Sequence, residues 1–152
     1  MEPKPFQKPY PPLWFGAASE PALRRAVRRG DGFFGAGSTP TTRFAEQVTV
    51  VRAALGEAGR PTESFPIAKR VYVAIDDHAE RARERINAAL TELYGRRVEA
   101  IEAAAVAGTA ADCVRELHRV AEAGAELILC TALFDQTEQM EQLAAAVMPK
   151  LG

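Results

Sequence analysis

Four short apolar runs in this chain are each followed by a segment with helical spacing, and this alternation restricts the fold more than any other feature. The clearest run is AKRVYVAI, from Ala68 to Ile75, rich in the β-branched residues that suit a pleated, buried strand. Leu13 to Ala17 (LWFGA), the run DGFFGA and the run AELILC read the same way, the first as a strand buried on both faces and the last as a buried strand. Parallel neighbours need a long connection, and a helix supplies it. The pattern therefore predicts an α/β chain of about four parallel strands with crossover helices.

The intervening segments carry their own start and stop signals. Pro21 suits the first turn of the helix EPALRRAVRRG, and Gly30 its end. Ser38 or Thr39 is placed to cap the next helix, whose apolar positions Phe44, Val48, Val51 and Leu55 share one face before it stops near EAGRP. Asp76 or Asp77 is placed to cap HAERARERINAALTELYG, and Thr109 to cap AADCVRELHRVAEAG. The alanine-rich VEAIEAAAVAG is apolar all round and reads as an extra helical segment, while QTEQMEQLAAAVMPKL closes the chain as an amphipathic helix.

At 152 residues the expectation is one domain, 1–152; 47% hydrophobic and 26% charged residues are enough for a core. A formal net charge of −1 gives no pull toward nucleic acid or a membrane surface. Cys113 and Cys130 have no ligand-spaced Cys or His beside them, so no metal site is expected and both read as reduced core residues. The lead MEPKPFQKPYPP is charged and proline-rich where a signal peptide needs an apolar run, and no stretch approaches the ~18 apolar residues of a spanning helix. A cytoplasmic protein is expected. The one PxxP match in that lead is already explained as the entry to the first strand.

The function-bearing feature is a doubled stretch, FGAAS from Phe15 to Ser19 and FGAGS from Phe34 to Ser38. Each leaves the C-terminal end of an expected strand and runs into a helix start, where unpaired N–H groups and the positive end of the dipole suit a phosphate. Gly16, Ala17, Ala18 and Ser19 on one loop, with Gly35, Ala36, Gly37 and Ser38 on the next, are the candidate binding residues. Small residues there also simply permit tight turns, so one loop alone is weak evidence. Repetition on consecutive strands favours a ligand.

PPLWFGAASEPALRRAVRRGDGFF, the GEAGRP helix end, RVYVAI followed by DDHAERARE, and GTAADCVRELHRVAEAGAELILC resemble, in order and spacing, the C-terminal half of the bacterial luciferase-like monooxygenase family. The resemblance covers nearly the whole chain. It implies a (β/α) barrel of the TIM type, which needs about 250 residues when complete, of which this chain would supply the last four strands. It further implies an oxidoreductase using FMN or a deazaflavin coenzyme for hydride transfer or monooxygenation, with the two loops gripping the cofactor's phosphate or ribityl tail. The ring pocket and most substrate-facing residues would lie in the other half, so no catalytic residue is assigned. An alternative from the open edges of a half-barrel is a non-catalytic assembly module that pairs as a homodimer or complements a separate N-terminal half. A smaller doubly wound sheet binding a phosphorylated ligand is a third reading.

The remaining conspicuous residues have plainer explanations. Arg24, Arg25, Arg28 and Arg29 fit a solvated face near a helix C-terminus. Asp31 in GDGF fits a turn lock, and Trp14 fits packing at the barrel wall. His78 and His118 lack partners at a catalytic spacing, and Glu99 with Glu102 fits a surface pair.

Overall fold

The computed structural model describes residues 4–152; the first three residues of the proline-rich lead lie outside the described residues. Among the described residues five parallel strands and six α-helices follow in the order β1 (Trp14–Phe15), α1 (Glu20–Arg29), β2 (Gly32–Gly35), α2 (Thr41–Glu57), β3 (Ile67–Ile75), α3 (Ala79–Tyr94), α4 (Glu99–Glu102), β4 (Val106–Gly108), α5 (Ala110–Glu122), β5 (Leu127–Thr131) and α6 (Gln136–Gln142). The chain then continues as a π-helical turn, Leu143–Val147, and a 3₁₀ turn, Met148–Lys150, so the closing amphipathic helix is broken into three pieces.

β3 is the axis of the sheet. Its first residues pair with β2 on one edge (Phe33 with Ile67, Gly35 with Lys69) and with β5 on the other (Ala68 with Leu127 through Tyr72 with Thr131). Its last three residues pair with β4, Val73 with Val106 through Ile75 with Gly108. Backbone groups alternate in direction along a strand. Pro66 and Asp76 accordingly face β2 and β4, through Phe33 N–H to Pro66 O and Asp76 N–H to Gly108 O, whereas Ile67 accepts from Glu126 N–H at the start of β5. Past the end of β5 the edge of β3 at Ile75 is capped by the buried Gln139 side chain. Gln139 Oε1 accepts from Ile75 N–H at 2.7 Å while its Nε2 donates to Ile75 O at 3.0 Å, doing with an amide what a further strand would do with a peptide.

Most of the core lies on one face. Phe33, Ile67, Val71, Val73 and Ile75 meet Leu23 and Val27 of α1, Phe44, Val48, Val51 and Leu55 of α2, and Cys113, Leu117 and Val120 of α5. On the other face, near the C-terminal end of β3, Tyr72 and Ala74 pack on Ala82, Ile86 and Leu90 of α3. Asp31 acts as the expected lock: its N–H donates to Leu13 O and its carboxylate accepts from Leu13 N–H, pinning the starts of β1 and β2 together. Thr109 caps α5 in a reciprocal capping box with Asp112, whose carboxyl is held down at about 2 first by Arg115 and then by Thr109.

Several expectations need correction. VEAIEAAAVAG is not all helix; it splits into α4 and the three-residue strand β4, which gives five strands rather than four. LWFGA is not a strand buried on both faces, for only Trp14–Phe15 pair and both Leu13 and Trp14 are exposed. β5 is an edge strand, with Leu127 56% and Leu129 49% exposed instead of buried. Pro40 and His78, not Ser38, Thr39, Asp76 or Asp77, occupy the N-cap positions of α2 and α3. Asp76 instead binds just ahead of α3, accepting from His78 N–H and pairing with Arg81.

Candidate functional site

The two small-residue loops leave β1 and β2 side by side, since Phe15 pairs with Phe33 and Gly16 lies against the Phe34 carbonyl. Each is held by one polar side chain from a neighbouring element. Gln47 of α2, itself buried, reaches the first loop with Nε2 3.4 Å from Ala17 O, and its Oε1 meets no partner among the described residues. Lys69 of β3, fully buried, reaches the second: Nζ donates to Thr39 O at 2.7 Å and to Ala36 O at 3.1 Å, over the Phe44 ring at 5.4 Å. Burial first, and the Arg70 charge second, push the Lys69 ammonium down to about 8.

Gathering carbonyls inward has a consequence for the donors. C=O and N–H point in opposite directions across a trans peptide. With Ala36 O accepting from Lys69 Nζ and from Thr39 N–H, the Gly37 N–H points away from both. Among the described residues the N–H groups of Ala17, Ala18, Gly37 and Ser38 donate to no protein acceptor. For Gly37, which is buried, such a donor is unusual.

The glycines differ in what they permit. A Cβ on Gly35 would lie 2.7 Å from the Phe44 ring, so packing alone requires that glycine. A Cβ on Gly37 would lie 2.8 Å from Arg70 Nε and 3.0 Å from Tyr72, which places the loop directly over those side chains. At Gly16 a Cβ would make only an ordinary 3.5 Å contact, leaving space above the backbone.

Arg70, Tyr72 and Tyr94 form the neighbouring polar group. The Arg70 guanidinium sits 5.0 Å over the Tyr72 ring and donates to Tyr72 Oη at 2.8 Å, and the Tyr72 and Tyr94 hydroxyls are 2.9 Å apart. Burial and the Tyr94 hydrogen bond raise the Tyr72 hydroxyl above its ordinary range. None of Gln47, Lys69, Arg70 or Tyr72 was singled out from the sequence. The signal was there, in two adjacent cations inside the otherwise apolar AKRVYVAI.

Other conspicuous residues lie elsewhere. Arg24 bridges Glu20 and Glu57, tying α1 to α2; Glu102 pairs with Arg97; His78 and His118 are exposed. Cys113 is buried with its thiol pushed up to about 12 by desolvation, and both cysteines are free. Among the described residues no helix is long and apolar enough to cross a membrane.

The family profile of luciferase-like monooxygenases matches residues 1–127. The chain belongs to that family. Solved structures give the same fold: a coenzyme F420-dependent tetrahydromethanopterin reductase from Methanopyrus kandleri (TM-score 0.74, 19% identity, covering 93% of this chain and 51% of that one) and an F420-dependent secondary alcohol dehydrogenase (0.77, 14%, 95% and 50%). The monooxygenase RslO1 from Streptomyces bottropensis matches with TM-score 0.77 at 19% identity over the whole of this chain and 52% of its own. This luciferase-like chain thus spans about half the length of the structures it matches, and its parallel sheet with crossover helices corresponds to half of a (β/α) barrel.

Proposed function

We propose that this luciferase-like chain binds the phosphate-bearing tail of FMN or of a deazaflavin coenzyme at the loops Gly16–Ser19 and Gly35–Ser38, as one half of an oxidoreductase. The observation that carries the reading is the pair of adjacent strand ends whose Ala17, Ala18, Gly37 and Ser38 N–H groups meet no protein acceptor among the described residues, each loop contacted by a buried polar side chain. The residues fit a phosphate: small side chains give access to the backbone, and Arg70 supplies a cation beneath the second loop. Glu20, in the first turn of α1, works against an anion there, but its charge is taken up by Arg24. When bound, such a cofactor supplies hydride or oxygen chemistry; this chain's residues bind and orient it.

The ring and substrate contacts are assigned to a second barrel half. Absorbance of the purified chain after incubation with FMN or the deazaflavin coenzyme and desalting tests the reading. Retention of either supports it, and retention of neither rejects it for the isolated chain. Gly16→Ala should lower retention with little change in stability, because a Cβ there meets only the Phe34 carbonyl at an ordinary 3.5 Å.

A second reading, the assembly module, is favoured by the uncovered face of the sheet. Trp14 and Gly32 form one register pair there; Phe34, Ala68 and Leu127 form a row, and Arg70 and Leu129 the next. Trp14, Leu127 and Leu129 are all exposed. A second copy or a separate N-terminal half would cover them. Size-exclusion chromatography with light scattering separates the cases: a dimer supports self-pairing, and a stable monomer rejects it.

A further inference from the structure

Among the described residues Lys69 is the only charged residue that is buried, and no carboxylate lies within ion-pair distance of it. Its ammonium has only neutral partners. Nζ donates to Thr39 O and Ala36 O in the loop after β2, lies 3.4 Å from Arg70 O, and stands over the Phe44 ring of α2. The strands on either side bring no charge, since its register partners are Gly35 of β2 and Ile128 of β5. The charge that acts on it is the adjacent Arg70, and it repels. Carbonyl dipoles satisfy the N–H groups without neutralising the cation, so burial here favours the neutral amine.

The loop side of Lys69 borders on solvent. Ala36, whose carbonyl takes one of these hydrogen bonds, is exposed between the buried Gly35 and Gly37. The main-chain bond of the loop, from Thr39 N–H to Ala36 O, is internal to it. Among the described residues the hydrogen bonds that fasten Ala36–Thr39 to β3 come from Lys69, and strand pairing with β3 has already ended at Gly35. Lifting this segment therefore breaks two side-chain bonds and brings Nζ to water, with no strand pairing lost.

We infer that Ala36–Thr39 is a proton-coupled gate over Lys69: the charged ammonium favours a lifted loop in which Nζ is solvated, and the neutral amine favours the loop closed. This adds a regulatory device to the second candidate loop, and it rests on the proposed function only for what that loop holds. The direction follows from linkage. In the closed chain Lys69 loses its proton at about 8, below its ordinary 10.5, so the lifted form binds the proton more tightly. Raising the pH from 8 to 10.5 shifts the balance toward the closed loop by up to about 300-fold, and below pH 8 the loop is at its most open.

The test is nuclear magnetic resonance of the intact chain without cofactor from about pH 7 to 11, following Lys69 Cε and the methyl groups of Ala36 and Thr39. Lys69 Cε should titrate near 8, with both methyl signals moving at the same midpoint and their relaxation dispersion fading above it. Lys69→Met should remove the pH dependence of both methyls, and the surface variant Arg25→Gln should retain it. Titration of Lys69 at its ordinary 10.5, methyl signals that ignore its midpoint, or the same methyl titration in Lys69→Met would each overturn the inference. The wild-type signals decide the matter even if Lys69→Met does not fold. None of these outcomes bears on retention of FMN or the deazaflavin coenzyme, and failure of retention would leave the gate standing.

Discussion

The two faces of the sheet were built to different rules. On one, Phe33, Val71 and Val73 have no solvent exposure and interlock with α1, α2 and α5; on the other, Trp14, Leu127 and Leu129 stand 38%, 56% and 49% exposed around Arg70. The first face is complete within this chain, and its side chains explain why the chain folds. The second is incomplete for a core yet carries the polar groups that no packing argument requires. Consecutive residues of β3 thus fall on opposite sides, Lys69 fully buried on the closed face and Arg70 half-buried on the open one.

Substitutions can break that contrast. Phe44→Ala, on the closed face, removes a ring stacked on Phe33 and should cost about 3–5 kcal/mol in denaturant unfolding. Lys69 tests the same face by pH. Its folded value of about 8 lies below its ordinary 10.5, so the cost of burying its charge is fully present below pH 8. As pH rises from about 8 toward 10.5 the folded chain loses that proton first, and the contribution of Lys69 to stability increases, by on the order of 3 kcal/mol at most. Lys69→Met should lack this rise, which then appears as the difference between the two stability curves. Gly35→Ala drives a methyl into the Phe44 ring and should cost about 1–3 kcal/mol, seen as a lower midpoint of thermal or chemical unfolding. Thr109→Ala removes half of a capping box and should cost about 1 kcal/mol. Leu129→Ser, on the open face, should change the unfolding free energy by less than about 0.5 kcal/mol; a large loss would mean that this face is already covered in solution.

The closed face was readable from the sequence and the open face was not, for a physical reason. Periodicity reports which side of a helix is apolar, and Phe44, Val48, Val51 and Leu55 fall on one face as expected. It does not report whether anything lies opposite an apolar strand, so LWFGA and AELILC read as buried although Leu13, Leu127 and Leu129 are exposed. β4 was missed because three residues in an alanine-rich stretch carry no alternation to detect; their strand geometry comes from the end of β3 beside them. The doubled loops were legible through their repetition. Their supports, Gln47 and Lys69, were not, because each belongs to an element whose apolar pattern explained its neighbours.

The most direct test of the account is a paired equilibrium titration of the chain with FMN and with riboflavin, which differ only by the phosphate, read by flavin fluorescence. FMN should bind more tightly than riboflavin, by about tenfold or more. Equal affinity for the two, or binding of neither, would contradict the claim that this half of the barrel grips the phosphate.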